Sequence, residues 1–233
     1  MNQFLIKTNI LDYDHPMIQK LIDERGWEKL AQDQKKKEIY KFIRDEIKFG
    51  YNRCDSISAS EVLQDGYGQC NTKGSLLMAL LRAVGIPCRI HGFYIDKVMQ
   101  KGAVTGLLYI LAPKNIIHSW VEIMDQEKLT ILEGFILDKA YMCALMKNMK
   151  PDQKQICGFG ASTSDLPSAI NDWDGSSNTY IQNESIIKDL GIYDSPDEFY
   201  KIYGGNLSGF RKWIFEKYAR FQMNQNVERM RNS

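Results

Sequence analysis

The run Gly68-Gln69-Cys70-Asn71-Thr72-Lys73-Gly74-Ser75-Leu76-Leu77-Met78-Ala79-Leu80-Leu81-Arg82-Ala83-Val84-Gly85-Ile86-Pro87 opens with a turn and sets a cysteine where a helix begins. Leu77, Leu80, Leu81 and Val84 keep the spacing of a buried helical stripe. Gly85 suits the left-handed position after a helix, and Pro87 stops its continuation. The positive pole of a helix N-terminus favours a thiolate, the nucleophilic form of cysteine. The chain around this run must therefore be searched for a base and for a group that orients the base.

Upstream, Asp14 before His15-Pro16 predicts a helix start, with Met17, Ile18, Leu21 and Ile22 on one face and Gly26 at its end. A second helix is expected from about Gln34 to Lys48, with Ile39, Phe42, Ile43 and Ile47 as its stripe. Lys35, Lys36 and Lys37 near its start read as a solvated face. Phe49-Gly50-Tyr51-Asn52 breaks the pattern, and Ser58-Ala59-Ser60-Glu61 has capping-box spacing for a short helix ending near Gly66.

Downstream of Cys88 the period falls towards two. Strands are expected over 88–95, 104–111, 116–124 and 129–137, joined closely enough for an antiparallel sheet. Asp125-Gln126-Glu127-Lys128 reads as the hairpin turn between the last two. Asp138 opens a helix through Met142, Leu145, Met146 and Met149. Residues 158–180, rich in Gly, Ser, Asp and Asn, read as irregular, with weak helices over 183–190 and 196–203. A final helix from about Leu207 to Arg231 should dock through Phe210, Ile214, Tyr218 and Phe221. The expected organisation is a core at 1–150 with N-terminal helices, then an irregular segment and C-terminal helices at 151–233 packed on it.

Composition narrows the function classes. The 233 residues carry thirty Lys and Arg against 29 Asp and Glu, a net charge of +1, which gives no reason to expect a nucleic-acid or acidic-membrane partner. No apolar run nears the roughly 20 residues that span a bilayer, and the N-terminus lacks a signal-peptide pattern. Five cysteines at 54, 70, 88, 143 and 157 contain no CxxC pair. They read as free thiols in a reducing compartment, so a cytoplasmic location is expected. No calcium loop or close ligand pair stands out, and neither a metal nor a cofactor is expected. Oligomeric state is not legible.

Three histidines are available. His15 reads as a surface or capping residue, and His91 as a structural histidine on the first strand. His118 stands in Ile117-His118-Ser119-Trp120-Val121-Glu122-Ile123. If Met124 faces Leu129 across the hairpin, opposed residue numbers sum to 253. His118, Trp120, Glu133 and Phe135 then share a face, with Glu133 a diagonal neighbour of His118. A carboxylate there can hold the imidazole and turn its other nitrogen towards Cys70. Asp138 is the rival orienter, although its place before Lys139-Ala140-Tyr141-Met142 is also that of a helix cap. Glu122 reads as a structural or solvated carboxylate.

Gly68-Gln69-Cys70, the run Leu81-Arg82-Ala83-Val84-Gly85-Ile86-Pro87-Cys88-Arg89-Ile90 and His118-Ser119-Trp120-Val121-Glu122-Ile123 resemble the core of the transglutaminase-like superfamily. Asp45-Glu46-Ile47-Lys48-Phe49-Gly50-Tyr51 also suits the helix and aromatic that precede the cysteine in many bacterial members. The resemblance covers residues 34–138. It implies an α+β, papain/transglutaminase-like core in which a cysteine-bearing helix packs on an antiparallel sheet, with extra helices at both ends. The family usually has Asp about fifteen residues after the histidine, following a Gly-Lys-Trp turn. Here Glu133 holds that place, and Leu129 stands where the Trp would be.

The activity implied is acyl transfer on a peptide or protein amide. Cys70 would be the nucleophile, His118 the base and Glu133 (or Asp138) the acid. The backbone N–H of Cys70 would serve as an oxyanion donor, with Tyr51 or Gln69 as a second and Trp120 as a wall. Two further readings use the same residues. One is a binding module with a silent triad. The other is an arylamine acetyltransferase-type enzyme, ranked last because no coenzyme site is visible.

Overall fold

A computed structural model describes residues 2–125 and 128–233. In chain order the elements are α1 (Pro16–Arg25), α2 (Gln32–Asp45), β1 (Lys48–Phe49), α3 (Ala59–Asp65), β2 (Tyr67–Gly68), α4 (Cys70–Ala83), β3 (Cys88–Asp96), α5 (Gly106–Leu111), β4 (Asn115–Asp125), β5 (Lys128–Leu132), α6 (Lys139–Lys147), β6 (Ile156–Gly158), β7 (Ala161–Thr163), α7 (Leu166–Ile170), β8 (Ile186–Tyr193), α8 (Pro196–Tyr203), α9 (Gly209–Ile214) and α10 (Arg220–Arg231). A π-helical turn, Phe215–Ala219, joins the last two. The fold is α+β. An antiparallel sheet of order β5-β4-β3-β8 carries the cysteine-bearing helix on one face.

Helix α4 is buried from Cys70 through Arg82, so its polar residues each need a partner inside the protein. Arg82 supplies three donations, to the carbonyls of Ile6, Cys88 and Asp194, and so ties the N-terminus to the sheet. Lys73 is wholly buried, and its Nζ donates to the carbonyls of Arg44 (3.2 Å) and Ile136 (3.0 Å). Gly85 sits at φ +83° and ends the helix where expected. Around α4 the α2 stripe holds, with Ile39, Phe42, Ile43 and Ile47 all buried; of the expected α1 face Ile18 and Ile22 are buried, Leu21 is half-buried and Met17 is exposed. His15, and not Asp14, caps α1 through its side chain. Lys36 is buried against Asp33 and Asp125, so the lysine run is not uniformly solvated.

The β4-β5 register is the one expected, with Met124 facing Leu129 and Val121 facing Leu132. The residues at the hairpin tip, Gln126 and Glu127, lie outside those described. The fourth expected strand stops short, at Leu132. Glu133 N donates to Thr179 O (3.1 Å) and Gly134 N to Thr179 Oγ1 (3.0 Å), so the chain leaves β4 for the 178–181 segment.

Three further expectations are corrected. Residues 104–111 are not a strand. The apolar run Gly-Leu-Leu-Tyr-Ile-Leu has no alternation to favour one. It forms α5, whose last carbonyls, those of Tyr109, Ile110 and Ala112, accept from Lys97 Nζ. Residues 183–190 are not one helix: Asn183–Ser185 form a single 3-10 turn, and Ile186–Tyr193 completes the sheet on the free edge of β3, with register shifts near Phe93 and Ile95. The C-terminal helix docks through Ala219, Met223 and Val227, while Phe210 and Tyr218 stay 73% and 64% exposed. The π turn adds a residue and rotates the face that a simple 3.6 period selects.

Burial pushes the Lys73 pKa down to about 7, with Asp138 and Asp45 opposing that shift and Arg231 and Arg44 adding to it. Between about pH 7 and 10 the unfolded chain then binds a proton that the folded chain lacks, so this lysine makes stability rise with pH. Urea denaturation of wild type and Lys73→Met across this range checks the sign. The stability of the variant relative to wild type should be greatest near pH 7 and should fall as pH approaches 10.

Candidate active site

The site is built where α4 starts. Gly66 at φ +70° closes α3, and β2 then pairs in parallel with β1. A Cβ on Gly68 would stand 2.7 Å from Thr72 Oγ1 and 2.9 Å from Lys73 Cγ, so only glycine brings the chain this close to the helix. Gln69 caps the helix: its Oε1 accepts from Asn71 N (2.8 Å) and from the Cys70 thiol (2.8 Å). Thr72 Oγ1 accepts from Gln69 N and donates to Asn52 Oδ1 (2.6 Å). The N–H of Cys70, at the first helical position, has no acceptor within the helix.

Asn71 couples this helix start to β4. Its Nδ2 donates to Ile117 O (3.1 Å), and its Oδ1 accepts from Ser119 Oγ (2.9 Å). These two contacts bracket His118 and set the first turn of α4 against the histidine. His118 is wholly buried, and its Nε2 lies 2.7 Å from Glu133 Oε1. Its Nδ1 is buried without a hydrogen-bond partner. Burial by itself would lower the imidazole pKa. The Cys70 sulfur and the Glu133 carboxylate outweigh burial and raise it to about 10.

Glu133 does a second job. Its Oε2 accepts the backbone N–H groups of Ile181 (2.8 Å), Gln182 (3.0 Å) and Asn183 (3.2 Å). One buried carboxylate thus faces His118 with one oxygen and anchors residues 181–183 with the other. Asp138 is committed elsewhere: it caps α6 through Tyr141 N (2.9 Å), accepts from Phe49 N (2.8 Å) and pairs with Arg231 (2.8 Å).

Cys70 borders a cleft of about 270 Å³. Tyr51 and Gln69 line it, with α5, the 205–207 segment and the C-terminal helix as walls. The Tyr51 hydroxyl is buried without a partner; burial, then Tyr141 and the Cys70 sulfur, push its pKa up. Gln69 is less available as an oxyanion donor, because its Nε2 donates to Asp55 (2.6 Å). Trp120 does not line the cleft. It packs on Phe93 (ring centroids 4.1 Å apart) and donates from Nε1 to Glu122. Glu122 is structural and not solvated; it is buried against Arg89 (2.7 Å) and His91 (2.8 Å). Those partners and Trp120 outweigh the burial penalty and hold it down at about 2.

Among the described residues no group of three His, Cys, Asp or Glu side chains could hold a metal ion. Sequence reasoning did not single out Asn71 or Asp55, nor place Thr179 and the 181–183 amides. The signal for Asn71 was a polar residue in the first turn, directly after the cysteine.

Residues 21–129 match the family model described as Transglutaminase-like superfamily. Two solved structures show likeness to the chain. One is described as a "Putative Cysteine Protease" from Cytophaga hutchinsonii, at 16% identity and TM-score 0.46, aligned over 84% of this chain and 47% of that one. The other is the red sea bream transglutaminase, at 13% identity and TM-score 0.31, over 85% and 36%. The chain thus spans less than half the length of either. No curated protein matches it.

Glu133→Gln replaces an acceptor with a donor, facing either three backbone N–H groups or His118. It should cost roughly 3 kcal/mol of stability, read from the urea midpoint. It should also lower the pH at which His118 titrates, followed by NMR of the imidazole protons.

Proposed function

We propose that this chain, whose residues 21–129 form a transglutaminase-like domain, catalyses cysteine-dependent acyl transfer on an amide substrate. The observation that carries the reading is the buried His118, gripped at Nε2 by Glu133 and left free at Nδ1, behind a cysteine at the start of a buried helix. A nucleophile, a base and an orienting acid are the parts that covalent acyl transfer needs.

Cys70 Sγ attacks the amide carbonyl carbon, and the C=O electron pair moves onto oxygen. The Cys70 N–H and the unpartnered Tyr51 hydroxyl are the donors available to that oxyanion. His118 Nδ1 gives its proton to the amide nitrogen, the C–N bond breaks, and the amine leaves. Water, or a second amine, attacks the thioester carbon as His118 takes its proton. Sγ then departs as thiolate. Glu133 holds the imidazole in place and stabilises its charged form throughout. Peptide or protein amides are the substrate class, carried over from the family.

One observation favours a silent binding module: the resting thiol donates to Gln69 Oε1, away from the imidazole. Iodoacetamide decides between the two. Because His118 stays protonated well above neutrality, an active site should give Cys70 labelling faster than at the exposed Cys143 and Cys157 from pH 5 to 8. His118→Ala should slow it by about tenfold or more. Labelling of Cys70 no faster than at the two exposed thiols sinks the enzymatic reading.

A further inference from the structure

The mechanism leaves one acid of the cleft unused. Asp55 lies in the same wall as Cys54, Gln69 and Cys70. Its Oδ1 accepts from Gln69 Nε2 (2.6 Å) and its Oδ2 from Asn206 Nδ2 (3.0 Å). The Asn206 backbone N–H adds a longer contact to Oδ2 (3.5 Å). All of these donors are neutral amides, and among the described residues no cation pairs with the carboxylate. Of the three cations that line the cleft, Arg53 is held by Glu61 (2.6 Å) and Lys212 faces Glu216 (3.8 Å), while Arg211 pairs with no acid among the described residues, Asp55 included. A second polar group of this region is also unmatched. The Tyr200 hydroxyl is buried without a hydrogen-bond partner, and burial, then Asp55 and the Cys70 sulfur, push its pKa well up. Burial likewise raises the Asp55 pKa against its amide donors. Asp55 is half-buried, and a carboxylate partly withdrawn from water without a counter-ion gains from one that arrives with a ligand.

We propose that Asp55 is the counter-ion for a substrate ammonium, so that the cleft takes amides bearing a free amino group close to the scissile carbonyl, such as an unblocked amino-terminal residue. This rests on the acyl-transfer reading of Cys70. The Asp55-Gln69-Cys70 hydrogen-bond relay puts the acid one side chain away from the sulfur. The ammonium bound here stays charged through the reaction. An amine that is to attack the thioester must first lose its proton, and a carboxylate partner would hold that proton on. Asp55 therefore suits a cation that anchors the substrate better than it suits the attacking amine. The apolar residues of the rest of the cleft, among them Val104, Leu108 and Phe215, suit an uncharged side chain beside that cation.

Charge-matched thiol reagents test this without a known substrate. The rates of modification by 2-aminoethyl methanethiosulfonate (cationic) and methyl methanethiosulfonate (neutral) are measured at each cysteine by mass spectrometry. At Cys70 the cation-to-neutral ratio should exceed that at the exposed Cys143 by about tenfold or more. Asp55→Asn should bring the cation-to-neutral ratio at Cys70 down to that of Cys143, whatever it does to the neutral rate, whereas Asp55→Glu should retain the preference. A structural role for Asp55, acting through Gln69, would instead move both rates together and overturn the proposal. So would a wild-type ratio equal to that of Cys143. A Cys70 slow to both reagents counts against the catalytic reading alone. In that case Cys54, which lines the same cleft, gives the ratio that decides for or against Asp55.

Discussion

A helix that starts inside a protein presents unpaired N–H groups and a positive pole to a medium that screens neither. Helix α4 does this at Cys70, and much of the surrounding structure answers it. The Gln69 side chain takes the Asn71 N–H, and Thr72 takes that of Gln69 while handing its own proton to Asn52. Asn71 spends its amide on the two residues that flank His118. What remains without an acceptor in the helix is the N–H of the residue that carries the thiol. The same constraint that makes the helix start costly to bury leaves one donor beside the sulfur.

The histidine is held from the opposite side. A buried imidazole next to a sulfur needs an anion to keep its charge, and that anion must itself be satisfied. Glu133 receives three backbone N–H groups on one oxygen and His118 on the other. The longer side chain has a physical use here. From a position just past the end of β5, the carboxylate spans between His118 and the 181–183 backbone. Those residues arrive from outside the region that resembles the family, so the segment after 150 completes the histidine's surroundings as well as adding β8 to the sheet.

Much of this was readable from the sequence, and the rest was not, for definable reasons. Local signals placed α4, Gly85, the Ser58 cap and the β4-β5 register, because each depends on residues within a few positions of one another. The contact between His118 and Glu133 was anticipated from an ideal ladder. It forms although the ladder has ended, since the chain turns towards Thr179 and keeps the carboxylate within reach. Two of the failures share one cause. Segments without clear alternation, the apolar run at 104–111 and the mixed one at 183–190, take their conformation from partners outside the segment: Lys97 for the first, the open edge of β3 for the second. The docking face of the C-terminal helix was misjudged because a single π turn breaks the periodicity on which such a reading depends.

The two acids considered for His118 divide the work of the cleft. Asp138 caps α6, accepts the Phe49 N–H and pairs with Arg231, whose own guanidinium also donates to Phe49 O (2.9 Å). One turn and more back along the same helix, Asn224 clasps the backbone of Tyr51 from both sides, accepting from its N–H (2.7 Å) and donating to its carbonyl (3.1 Å). The backbone that carries Tyr51 is therefore fixed by the C-terminal helix, and that helix is fixed by Asp138. Glu133 holds His118, and Asp138, through Arg231, holds the wall that carries the Tyr51 hydroxyl. A carboxylate five residues further along thus shapes the site without touching the histidine. Its burial, at 2% exposure, is explained by Arg231 without any catalytic role.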